Sequence, residues 1–71
     1  MLFEPPNYPQ IVLSFDYRGW TLQLDQDQHN DEQVYSVWAK EQYGAAIAVP
    51  CAYSREEAVR RAKAWVDSRL A

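Results

Sequence analysis

The stretch Ser54-Arg55-Glu56-Glu57-Ala58-Val59-Arg60-Arg61-Ala62-Lys63-Ala64-Trp65-Val66-Asp67-Ser68-Arg69-Leu70 decides the fold. Ser54 is followed three positions later by Glu57, the spacing of a capping box. Tyr53 and Ala58 stand where a hydrophobic staple packs. Behind the cap, Ala58, Val59, Ala62, Trp65, Val66 and Leu70 recur at helical spacing and form one stripe. The spacing predicts a helix over 54–70. Glu56/Arg60 and Glu57/Arg61 are i,i+4 pairs that support its exposed side, at about 0.2–0.5 kcal/mol each.

A helix with one apolar stripe must bury it against something, and the upstream sequence reads mostly as strand. Ile11, Leu13, Phe15 and Tyr17 alternate with Val12, Ser14 and Asp16. Arg18-Gly19 is a tight turn, because Gly19 tolerates positive φ. Trp20, Leu22 and Leu24 then alternate with Thr21, Gln23 and Asp25. A two-residue turn sets Tyr17 opposite Trp20, Phe15 opposite Leu22 and Leu13 opposite Leu24. Asp25 to Gln33 is wholly polar and reads as a loop. A third strand runs from Val34 to Glu41, a turn over Gln42-Tyr43-Gly44, and a fourth short strand from Ala45 to Val49. Pro50 ends that strand or sits at its edge.

The expected architecture is α+β: a three- or four-stranded antiparallel β-meander (11–49) with one C-terminal α-helix (54–70) packed on one face. Alternation assigns Leu13, Phe15, Leu22, Leu24, Tyr35, Val37, Ile47 and Val49 to the inner face, with Trp20 in phase. These meet Val59, Ala62, Trp65, Val66 and Leu70. Val12, Ser14, Asp16, Thr21, Gln23, Ser36, Trp38 and Lys40 fall on the outer face. Such a sheet has one wet side, and Trp38 is the misfit there. Residues 1–10 read as an extended arm, since Pro5, Pro6 and Pro9 disfavour helix. Phe3 and Tyr8 are its anchors.

Seventy-one residues make a single domain. A core this small depends on its large side chains, and the chain supplies three Trp, five Tyr and two Phe. Each buried ring removes roughly 150–250 Å² from water. One cysteine, Cys51, leaves no internal disulfide, and it reads as a buried small residue. Met1-Leu2-Phe3-Glu4 lacks the basic and apolar regions of a signal peptide. No apolar run reaches the roughly 20 residues that span a bilayer. The expected setting is the cytoplasm.

Charge is distributed unevenly behind a net −3. Residues 1–54 carry Glu4, Asp16, Asp25, Asp27, Asp31, Glu32 and Glu41 against Arg18 and Lys40, a balance of −5. The helix carries Arg55, Arg60, Arg61, Lys63 and Arg69 against Glu56, Glu57 and Asp67, a balance of +2. An acidic body repels phosphate and counts against broad nucleic-acid binding.

No motif for catalysis emerges. Cys51 and His29 are single members of their types with no orienting third residue. The segment Asp25-Gln26-Asp27-Gln28-His29-Asn30-Asp31-Glu32 has metal-ligand chemistry but fails the EF-hand spacing, offering Asn30 and Ser36 where glycine and glutamate belong. With two glycines in all, no phosphate-cradling loop exists. The chain reads as a non-enzyme without metal or cofactor.

The tail from Ala52 to Val66, a strand leading into a Ser-x-x-Glu-Ala cap and an Ala-rich helix, resembles the closing segment of small bacterial βββα modules such as the HicB-like antitoxin N-terminal domain. The resemblance covers the last third of the chain. It implies a protein-binding or inhibitory module rather than a catalyst. The residues themselves point to partner contact through Trp38 with Phe3 and Tyr8, or through the acids Asp25, Asp27, Asp31 and Glu32. Tryptophan is enriched at interface anchors. The leading expectation is a small regulatory or accessory module that binds another protein. The alternative is an acidic, phage-type inhibitor whose carboxylates mimic nucleic-acid phosphates. A homodimer through the open sheet face or edge is a third arrangement of the same surface.

Overall fold

The structure is a computed structural model and describes residues 11–71. The expected arm, with Phe3 and Tyr8, lies outside the described residues. Four strands, β1 (Ile11–Tyr17), β2 (Trp20–His29), β3 (Glu32–Glu41) and β4 (Gly44–Ala52), form one antiparallel sheet in the order β1-β2-β3-β4. The helix α1 (Arg55–Leu70) follows and lies across β2, β3 and β4. This is the expected α+β meander, with four strands.

The cap works as its residues dictate. The Glu57 amide donates to Ser54 Oγ at 3.0 Å, and the Ala58 amide donates to the Ser54 carbonyl at 3.0 Å. Glu57 reaches back one residue further than a capping box requires, and its Oε1 accepts from the Tyr53 amide at 3.1 Å. Arg61 Nη1 sits 3.3 Å from Glu57 Oε2 and donates to the Cys51 carbonyl at 2.8 Å, so one guanidinium ties the helix to the end of β4. The staple does not form. Ala58 is fully buried, whereas Tyr53 is 64% exposed.

The first two of the three hairpin turns adopt left-handed backbone. Arg18 and Gly19 have φ of 51° and 89°, and Asn30 and Asp31 have 52° and 66°. Positive φ at both central residues is the primed turn that matches strand twist. It sets Tyr17 opposite Trp20, Phe15 opposite Leu22 and Leu13 opposite Leu24, the register the alternation predicts. The second turn overturns the expected loop over 25–33. Residues 20–29 and 32–41 pair continuously from Thr21–Lys40 to His29–Glu32. The polar residues of this segment are strand residues whose side chains stay wet.

The core consists of Leu22, Leu24, Tyr35, Val37, Ala39, Val49 and Ala52 beneath Ala58, Ala62 and Val66. Alanines at two of the three buried helix positions let the helix axis come close to the sheet. Trp20 and Trp65 close one end edge to face, with ring centroids 5.2 Å apart at 86°. Such pairs contribute about 0.5–1.5 kcal/mol beyond their buried area. Arg69 caps the Trp65 ring at 4.1 Å. β1 lies beyond the helix body. Lys63 spans that gap, standing 5.8 Å from the Phe15 ring centre and 5.4 Å from that of Tyr17.

Several side chains depart from simple alternation, and slips of register at three places, between Ile11 and Leu13, Tyr35 and Val37, and Val37 and Trp38, explain most of them. Pairing slips by one residue between Ile11 and Leu13, and Val12 packs against the core instead of facing outward. Pairing slips again between Val37 and Trp38, so Val37 meets Val49 while Trp38 meets Ile47. The extra residue, Ala48, turns Ile47 from the expected inner face to the outer one, where it is 49% exposed. Leu13 and Leu70, also expected inside, are 42% and 48% exposed. Both lie at the margin of the helix–sheet layer. Strand β4 runs on through Pro50 to Ala52, and Cys51 is exposed rather than buried.

Candidate interaction face

Cross-strand partners share a face, and successive residues alternate. The register therefore builds the helix-free side of the sheet row by row. Asp16, Thr21, Lys40 and Ala45 form one row, and Ser14, Gln23, Trp38 and Ile47 the next. Asp25 with Ser36, Asp27 with Val34, and His29 with Glu32 continue it along the β2–β3 hairpin. Ala52, the last residue of β4, is fully buried, and Cys51 before it and Tyr53 just past the strand are both exposed.

Two zones result. Along β3 and β4 lie Trp38, 36% exposed, its partner Ile47, and Tyr53. Along β1 and β2 lie the carboxylates Asp16, Asp25 and Asp27, with Glu32 at the hairpin end. Lys40 is the one cation of this side among the described residues. Asp16 Oδ1 accepts from Thr21 Oγ1 at 2.9 Å, and Asp27 Oδ1 accepts from the Gln28 amide at 2.7 Å, which holds both carboxylates on the strand surface. Tyr53's phenol is held above its ordinary pKa, first by the Cys51 sulfur beside it and next by Glu32.

The helix side carries the opposite charge. Arg55, Arg60, Arg61, Lys63 and Arg69 all belong to α1, and Arg18 is drawn to it by Asp67 at 2.8 Å. The uneven charge along the chain becomes a charge difference between two sides of one sheet.

Of the residues singled out by sequence, Trp38 lies on the open side as expected, and Asp25, Asp27 and Glu32 share that side. Asp31 occupies the turn at φ 66° and belongs to neither sheet face. Sequence reading missed Ile47, hidden by the bulge at Ala48, and Tyr53, hidden because Pro50 read as a strand end. Alternation offered no signal for Tyr53: counted on from Val49 through Pro50 it falls on the inner face, and the slip of register between Tyr35 and Val37 reverses that.

Among the described residues, no three His, Cys, Asp or Glu side chains gather as a metal site. No helix there is long and apolar enough to cross a membrane. No family model, curated protein or solved structure matches this chain.

Proposed function

We propose that this chain is a protein-binding module of regulatory or accessory type, without catalytic activity, that meets its partner through the open side of the sheet. The observation that carries this reading is the Trp38–Ile47 pair. Both side chains are exposed on the side away from α1, directly opposite one another. Water-exposed tryptophan beside a branched aliphatic residue loses little entropy on docking and buries much apolar area. The resemblance of the tail to HicB-like modules supports the same class of function. A cytoplasmic setting belongs to this proposal, supported by the lone cysteine.

The test is affinity capture from an extract of the source cells, with the wild-type chain and Trp38→Ala and Ile47→Ser as baits. A protein retained by the wild type and lost from both variants supports the reading. Equal retention by all three baits excludes this face.

A second reading is the acidic inhibitor that blocks a nucleic-acid-binding partner. One observation favours it. The β2–β3 hairpin runs past the last pairs of β1 (Ile11–Asp25) and β4 (Tyr35–Ala52), and carries Asp27, Asp31 and Glu32 on that extension. The two readings separate by salt. A charge mimic loses affinity steeply between about 50 and 200 mM salt, whereas an aromatic anchor loses much less.

A further inference from the structure

We infer that the first half of β4, residues 44–47, is an open sheet edge taken by the same edge of a second copy of this chain, so that two four-stranded sheets join antiparallel into one. The contact lies at the rim of the sheet and goes beyond the open face proposed above.

Three features leave this edge open. Strand order puts β3 on one side of β4 and, among the described residues, no strand on the other. Its outward main-chain groups are a template for a further strand. The path of the helix is the second feature. Arg61 ties α1 to the Cys51 carbonyl at the end of β4, while Trp65 meets Trp20 and Asp67 meets Tyr17 at the β1–β2 turn. The helix therefore crosses the sheet from one corner to the opposite one. The corner where β4 begins stays uncovered, with Tyr43, Ala45 and Ile47 exposed there. The third feature is the want of guards. From Gly44 to Ala52 the strand holds no charged residue, and its bulge at Ala48 and its Pro50 both follow Ile47.

The residues select a second copy as the occupant. Strand addition takes its specificity from pockets for alternate side chains, and Gly44, Ala45 and Ala46 offer a foreign strand neither pocket nor charge. A copy needs neither. An antiparallel pair of identical edges has its twofold axis normal to the sheet, which keeps every side chain on its own face. A residue then opposes its own copy or one an even number of positions away. Upstream of the bulge, that puts the axis at Ala45 or Ala46. Ile47 meets Tyr43 of the copy in the first case and Ala45 in the second, and is covered in both. No like charges come together. Lys40 lies one strand in from the seam. Three strand spacings, about 14 Å, separate it from its copy, more than the Debye length of about 8 Å at physiological salt. So short a seam buries less than about 1,200 Å², which makes the dimer a weak one.

Sedimentation of the full 71-residue chain from micromolar to millimolar concentration tests this, with amide exchange followed by NMR at both ends of the range. The mass should rise from 8.3 kDa toward twice that value. Alternate amides within residues 44–47 should slow in the dimer. Ala45 is exposed, so a charge there leaves the fold intact. Ala45→Lys and Ala45→Glu should each weaken self-association at least about tenfold, because like charges meet across the seam. Mixing the two variants should restore it, a rescue that a change in folding would not give.

A monomer at every concentration overturns the inference. So does a dimer that Ala45→Lys leaves whole and Trp38→Ala dissociates, since the contact then lies on the open face. Growth past two copies means head-to-tail pairing of β4 on β1 and overturns the twofold seam. Nuclear Overhauser contacts from residues 1–10 to residues 44–47 within one chain name that segment as the occupant and overturn it as well. Capture of a cellular partner through Trp38 is read separately from all of these, so the two readings fail independently.

Discussion

The Tyr17 hydroxyl donates to Asp67 Oδ1 at 2.9 Å, joining the end of the first strand to the last turns of the helix. Arg18 Nη1 reaches the same oxygen at 2.8 Å. These contacts secure β1, which the helix body does not overlie. They also settle an electrostatic conflict. A carboxylate near a helix C-terminus opposes the macrodipole, and Arg18 supplies the compensating charge. Arg18 is available because the tight turn puts it at the sheet end in left-handed backbone.

Tyr17→Phe and Asp67→Asn should each lower the midpoint of urea unfolding, and the double variant should lower it by less than the sum. Residues sharing one hydrogen-bond network are non-additive. A strictly additive cycle would show that the contact contributes nothing. The measurement is a double-mutant cycle by circular dichroism.

The same pair predicts a pH dependence. Asp67 is held below the usual carboxylate range, mainly by Arg18 and then by the Tyr17 hydroxyl. A depressed carboxyl pKa in the folded state stabilises the fold above the unfolded-state value, and that contribution is lost as pH falls through the folded value. At the alkaline end, Tyr17 is raised, chiefly by its hydrogen bond to Asp67. Its contribution is complete below the ordinary tyrosine pKa and fades as pH rises through the raised one. Stability measured against pH should therefore fall at both ends, and Asp67→Asn should flatten both limbs.

Ala62→Leu should destabilise the domain by about 1–3 kcal/mol or more, since Ala62 is fully buried between helix and sheet and an added side chain forces them apart. The same change at exposed Ala64 should be nearly neutral. Thermal unfolding of the two variants makes the comparison, and equal losses would contradict the described packing side of α1.

Ser54→Ala should cost about 0.5–2 kcal/mol, the usual value of an N-cap hydroxyl. The Glu57 amide loses its side-chain acceptor. Hydrogen exchange should locate the loss in the first helical turn, with faster exchange at Glu57 and little change at Val66.

Trp38→Ala should change unfolding free energy by about 1 kcal/mol or less, because its ring lies on the wet side of the sheet. Trp65→Ala should cost about 3 kcal/mol, since it removes the edge-to-face partner of Trp20. A Trp38 variant that unfolds at room temperature would place that ring in the core and remove the binding face with it.

Local chemistry decided much of the fold. Ser54, Glu57 and the i,i+3/i+4 apolar spacing specify the helix and its start within one turn of chain. Gly19, with strict alternation on both sides, specifies the first hairpin and its register. Alternation also places Trp38 on the wet side. These features involve residues close in sequence, so one chain carries all their partners within a few positions.

Long-range pairing decided the rest. The bulges at Val12 and Ala48 have no mark in the residues themselves; they arise where strand twist and core packing put two residues against one, and each reverses which side chains face out. That is how Ile47 came to join Trp38 and Val12 came to join the core. The polar run 25–33 became a hairpin because pairing satisfied its backbone while its side chains stayed in water, a trade that apolar periodicity does not record. Uneven charge is plain in the order of residues, but only laying the helix over one side of the sheet turns it into an acidic face opposite a basic one, because the distance between charges is set by layers in space and not by position along the chain.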